Sequence, residues 1–288
     1  MKFALVGLLA LSGMAFAAPD LNDTFAALKT ATEGKDVAQV KTLAPQAAKE
    51  AKDILSKPDV PMDIAEFAKG AAEYSEYALS IVAIGSGDPK VTVELTDVLL
   101  ETNNKSKHVD TVAASYLAAL NKESAAKATA GAGKILAGRP ENEDALFQQA
   151  SGGSGAAANK LITVMRTKPK PEGVADADWE RKKNAMTGTA YYLLGTQAGQ
   201  AQRWADADRN LKAALPLIAG NNALLGPTYF FLGIANYQTG KLTQDRSKMQ
   251  TGINYTQQAA GIAGPMQGQA NNNLAAMKKE MAGPATRR

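Results

Sequence analysis

Apolar positions recur every three or four residues along most of this chain, and turn residues break the pattern at short intervals. Leu21, Phe25 and Leu28 form a first short stripe; Val37, Val40, Leu43, Ala47, Ala51, Ile54 and Leu55 form a second. Pro45 falls inside the second and predicts a kink or break near Leu43, because proline removes one helical hydrogen bond and crowds the preceding turn. A longer helix follows through Ile64, Phe67, Ala68, Ala71, Tyr74, Ala78 and Ile81 and stops at Gly85-Ser86-Gly87. Asp88-Pro89 then supplies an N-cap and a first-turn proline, so a new helix starts there. Its body, Val91 to Leu95, alternates like a strand, and only the helical surroundings favour a helix.

Val109, Val112, Ala113, Tyr116, Leu117 and Leu120 mark one buried stripe, Asn121-Lys122 turns the chain, and Ala125, Ala128, Ala132, Ile135 and Leu136 mark the next helix. Gly138-Arg139-Pro140 ends it. Ser151 to Gly155 reads as a flexible hinge between the helices at 142–150 and 156–166. Thr167-Lys168-Pro169-Lys170-Pro171-Glu172-Gly173 reads as the main internal boundary, because it is the most polar and proline-rich connection.

Beyond that boundary the residues form a motif. Tyr191-x-x-Leu194-Gly195 is followed by Ala207-x-x-x-Leu211-x-x-Ala214, and Tyr229-x-x-Leu232-Gly233 with Tyr237 and Gly240 repeats the first half. This resembles the tetratricopeptide repeat, a helix pair of about 34 residues carrying an aromatic-x-x-Leu-Gly step and then spaced alanines. Gly195 and Gly233 are 38 residues apart, which places about four extra residues near Ala219 to Asn222. In the later copy Asp245 and Gly252 stand where small apolar residues are expected. Tyr116, Ala128, Ala132 and Pro140 give a fainter upstream copy.

The resemblance implies an all-α, TPR-like solenoid of antiparallel hairpins, in which each hairpin covers the apolar face of the last. The parts follow as a helical hairpin at 18–57, degenerate repeats at 58–167, a proline-rich linker at 168–177, repeats with a capping helix at 178–281, and a loose tail at 282–288. In that family the first helix of each pair forms the concave surface. The resemblance therefore directs Tyr192, Thr196, Phe230, Ile234 and Tyr237 to it as partner-binding residues, flanked by Asn236 and Gln238. The carboxylate clamp by which some relatives grip chaperone tails needs Lys, Asn and Arg there. Tyr192, Leu193, Thr196, Pro227 and Phe231 stand in those places, so chaperone-tail binding is not expected.

Composition narrows the chemistry. The 288 residues are 45% hydrophobic and 21% charged, enough for an ordinary core, and aromatics at 6% in an alanine-rich chain favour close helix packing. A net charge of +4 is too small to imply a nucleic-acid partner. With no cysteine and one histidine, disulfides, thiolate metal sites and histidine-based triads are excluded. No catalytic, metal or cofactor residue is assigned. His108 opens a helix alone, and Gly131-Ala132-Gly133-Lys134 lacks the glycine and hydroxyl that a phosphate loop requires, having Ala128 and Ile135 instead. Asp176, Asp178, Glu180, Asp206 and Asp208 cluster at helix starts, where the helix dipole favours them. Trp179 and Trp204 are expected to staple helix entries.

Met1-Lys2, the apolar run Phe3 to Leu11, and Ala15-Phe16-Ala17 read as a cleaved secretory signal at residues 1–17. The expectation is a periplasmic or secreted adaptor without enzymatic activity. It would need no cofactor, would not insert in a membrane once cleaved, and would hold a protein or peptide of the cell envelope. A small-molecule or glycan-binding protein is the alternative.

Overall fold

The computed structural model describes residues 19–283. The expected signal at 1–17 and most of the expected tail lie outside them. Among the described residues the fold is all-α, thirteen α-helices and one 3-10 turn, with consecutive helices packed on each other as a helical repeat. The chain divides into two compact units between Gln148 and Gln149.

The first unit contains α1 (Pro19–Glu33), α2 (Val37–Leu55), α3 (Met62–Gly85), α4 (Pro89–Asn103), α5 (His108–Glu123), α6 (Ala125–Gly138) and most of α7 (Glu143–Ser151). Side chains do most of the stopping and starting. Asp36 and Asp88 cap α2 and α4 by accepting from the backbone N–H groups of Gln39 and Lys90, and Pro89 occupies the first turn of α4 as expected. The 91–95 segment is helical, with Thr92, Leu95 and Thr96 buried, so packing overrides its strand-like alternation.

Two sequence expectations are corrected in this unit. Pro45 does not break α2, which is continuous from Val37 to Leu55. Ala44 and Ala47 on either side are fully buried and hold both halves to the core. The carbonyl that proline leaves without a helical donor is that of Lys41, an exposed residue open to water. The chain also does not turn at Asn121-Lys122: α5 runs on to Glu123, and Ser124 alone makes the turn. Its extended backbone ends α5, and its hydroxyl accepts from Lys127 N–H to start α6.

The second unit contains the end of α7, α8 (Gly155–Thr167), α9 (Asp176–Gln200), α10 (Trp204–Ala214) with a 3-10 turn at Leu215–Leu217, α11 (Asn222–Thr243), α12 (Arg246–Ala260) and α13 (Gln267–Met281). The glycine-rich segment after α7 is a short capped turn, since Ser154 already caps α8. The proline-rich segment connects α8 and α9, which pack against each other within this unit.

Glycines set the closest helix crossings. A Cβ built on Gly195 of α9 would lie 2.5 Å from Leu211 Cγ on α10. On α12, a Cβ at Gly252 would lie 2.6 Å from the backbone nitrogen of Tyr237 and 2.7 Å from the carbonyl oxygen of Gly233, both on α11. The residue that departs from the repeat pattern is therefore the one that lets two backbones touch.

Helix length explains the departure. Helix α10 begins nine residues after Gly195, but α12 begins thirteen after Gly233, because α11 continues for about one more turn. The pairing of α12 with α11 is thus displaced along the repeat: Thr256 meets Gly233 as Leu211 meets Gly195, seven positions beyond the 38-residue repeat distance, and Asp245 becomes the N-cap of α12.

Replacing these glycines should separate two effects. Gly252→Ala meets backbone that cannot swing away, so it should cost about 3 kcal/mol, the upper part of the overpacking range. Gly70, in α3, has nothing within 4 Å of an added Cβ, so Gly70→Ala should stabilise by about 0.5–1 kcal/mol through helix propensity. Urea unfolding of the two variants checks both signs.

Candidate interaction faces

Within the first unit, α1, α3 and α5 are the first helices of successive hairpins, and α3 packs against both α1 and α5. Half-buried rings bridge them. Phe25 of α1 lies edge-on to Phe67 and Tyr74 of α3, at 5.6 and 5.4 Å between centroids. Tyr74 neighbours Tyr77 at 5.8 Å, and Tyr77 meets the His108 imidazole of α5 at 5.7 Å. Edge-to-face pairs at these separations contribute about 0.5–1.5 kcal/mol each beyond the area they bury. Lys29 places its ammonium 4.3 Å from the Phe25 ring centre.

The same side of α3 continues outward. Tyr77, Ile81 and Ile84 follow one another at i, i+4 and i+7, and Ile81 and Ile84 remain 40% and 37% exposed. Ile81 therefore does not close the core stripe, as its spacing suggested, but stands at the edge of an apolar surface. An ion pair from Lys107 to Glu73 and a hydrogen bond from the Asn103 amide to Glu76 border it, the latter at 2.7 Å.

His108 belongs to this ladder as a neutral ring. Burial holds its pKa below the usual histidine value and Lys107 adds to the effect, outweighing the opposing pull of Glu76 and Glu73. Its Nε2 is buried without a hydrogen-bond partner. Phe25, Phe67 and Tyr74 read in the sequence as plain core positions, and His108 as a lone turn residue. What could have united them was the spacing of Phe67, Tyr74 and Tyr77 along one side of α3, continued by Ile81 and Ile84.

In the second unit the five expected partner-binding residues do not form one open surface. Tyr192 is half-buried and packs in the cluster of α9, α10 and α11 around Leu211 and Leu232. Thr196 is buried, its hydroxyl donating to the Leu193 carbonyl at 3.1 Å. Phe230, Ile234 and Tyr237 do share a strip on α11, but α13 covers it: Phe230 packs with Ala259 and Ala270, and Tyr237 packs with Ile253 and Met277. Phe230 is 7% exposed and Tyr237 2%. An open groove through these residues is thus corrected to a filled one, because the capping helix lies on the strip instead of beyond it.

Polar groups on the strip are also engaged. The Tyr237 hydroxyl donates to Glu280 at 3.0 Å, and its pKa is pushed up to about 12, by burial first and by that carboxylate second. Lys241 and the Tyr237 hydroxyl together hold Glu280 below the usual carboxylate range. Asn236 is buried, its amide donating to Asp208 at 2.6 Å and to the Leu232 carbonyl at 2.9 Å; it ties α10 to α11. Gln238 is half-buried.

The remaining sequence candidates have local partners. Gly131 lets α6 pass under Tyr116, and Lys134 pairs with Asp97 at 2.8 Å. Asp176, Asp178, Glu180, Asp206 and Asp208 pair with Lys170, Arg181, Lys183, Arg209 and Lys212 respectively. Trp179 is buried, and Trp204 opens α10 against the α9–α11 cluster. No protein-family model matches this chain, and a search of curated proteins finds no match. No helix among the described residues is long and apolar enough to cross a membrane.

A pH dependence follows from His108. Its folded pKa is below the unfolded value of about 6.5, so the unfolded chain takes up the proton first. Stability should be full above that value and fall as the pH drops below it. His108→Gln should flatten the decline between pH 7 and pH 5, read as the urea midpoint at each pH.

Proposed function

We propose that this protein is an exported, non-enzymatic adaptor of the tetratricopeptide type that holds a protein partner in the cell envelope. The reading combines the signal-like start, the Leu-Gly and spaced-alanine motifs, and the helix pairs. One observation carries it most directly: the ring ladder of α1, α3 and α5 opens onto the Ile81 and Ile84 side chains, an apolar strip bordered by Glu73, Glu76 and Lys107. Such a strip offers apolar contact at its centre and charge at its rim, as protein interfaces do.

Glutamate at positions 81 and 84 tests it, because both side chains reach the surface and glutamate keeps helix propensity. The Ile81→Glu/Ile84→Glu variant should keep the wild-type melting temperature within a few degrees and lose a specific envelope protein that the wild type retains. Equal retention by both would overturn this face as the partner site. Recovery of a low-mass ligand alone would favour the small-molecule or glycan reading.

A further inference from the structure

The strip that α13 covers has a definite shape and charge. Met266, Ala270, Leu274, Met277 and Met281 meet it at i, i+4, i+8, i+11 and i+15, the spacing of one narrow helical stripe. Of the fifteen residues of α13, only Ala270 and Met277 are buried. One polar tie lies at its start, where the Gln267 amide donates to the Ala260 carbonyl at 3.2 Å, and the charged ones lie at its end: Glu280 pairs with Lys241 at 2.7 Å and accepts from Tyr237, while Arg246 donates to the Met281 carbonyl at 3.2 Å. The six residues that connect it to α12, Gly261 to Met266, include two glycines and a proline.

A face that accepts a methionine–leucine stripe between aromatic residues, a carboxylate beside Lys241 and a helix-end carbonyl at Arg246 is complementary to an amphipathic helix with a carboxylate in its last turn. Methionine-rich contacts adapt to new side chains more readily than branched ones. Few buried groups hold α13, and its ion pair is exposed and worth little.

We infer that the α11–α12 face is a helix receptor, that α13 is its resident occupant, and that the partner is an amphipathic helix with the same stripe and carboxylate, which takes the place of α13. This rests on the adaptor reading and names the chemistry of a partner for a second face. The resident helix competes at the high effective concentration that a short tether imposes, on the order of millimolar. Binding in trans should therefore be weak until α13 is loosened.

The test uses the full chain and a labelled synthetic peptide of residues 266–283. Glu280→Lys places a cation against Lys241 and removes the acceptor of Tyr237; Arg246→Ala loosens the same end more gently and serves if the first variant does not fold. Hydrogen exchange should show α13 opening in the variant while α11 and α12 stay protected. The variant should then bind the peptide at least tenfold more tightly than the wild type, and a Met277→Asp peptide should bind neither. Unchanged exchange in α13 would make it a permanent part of the fold and overturn the inference, as would an open α13 with no peptide binding at 1 mM. Either failure leaves the Ile81 and Ile84 test of the adaptor reading intact.

Discussion

Close approach of helix backbones at alanine and glycine is the constraint on which the rest of this structure depends. Where α11 and α12 meet over Gly233 and Gly252, backbone lies against backbone and the Thr256 side chain sits directly on Gly233. Larger residues must then pack to either side of the contact, which fixes where Tyr237 and Ile253 sit. The same logic operates at Gly195 against Leu211, and at Gly131 beneath Tyr116 and Leu120. Interiors at crystalline density leave no slack for an added methyl where the neighbour is backbone. Small residues thus set where helices come into closest contact.

The helices were legible in the sequence because turn chemistry and periodicity agree along most of the chain. Asp88-Pro89 announced α4, and Gly138-Arg139-Pro140 closed α6. Where the reading failed, a tertiary term outweighed a local one. Pro45 is tolerated because buried alanines on both sides keep α2 in place and the orphaned carbonyl can reach solvent. The later repeat looked degenerate because its second helix was aligned by sequence distance from Gly233. The extra turn of α11 moves the start of α12 by four residues and the residue that meets the Leu-Gly step by seven, and with that shift Gly252 and Asp245 acquire clear roles as crossing point and cap.

The interaction faces were less legible, for a different reason. Spacing along one helix tells which residues share a side, but not what lies over that side. Phe230, Ile234 and Tyr237 do share a strip, and nothing in their own helix reveals that α13 occupies it. Conversely, the ladder from Phe25 to His108 draws on three helices separated by up to 83 positions in sequence, so no local pattern displays it as a unit. Its outer edge at Ile81 and Ile84 was hidden because isoleucine at helical spacing normally faces a core.

Carboxylates complete the division of labour between hairpins. Asp97 of α4 accepts from the Tyr116 hydroxyl of α5 at 2.8 Å and pairs with Lys134 of α6, joining one hairpin to the next. Asp110 of α5 pairs with Arg139 and accepts from the Asn142 side-chain NH2, while the Asn142 Oδ1 caps the turn into α7 by accepting from Ala145 N–H. Asp208 of α10 does the same for Asn236 of α11. Partly exposed bonds of this kind add modest stability, yet each requires its donors at one distance and one angle. Small residues bring the helices together without choosing among similar alanine-rich faces. The carboxylates supply that choice, because a slip of one turn would leave Asp97, Asp110 or Asp208 facing the wrong helix with its donors unpaired.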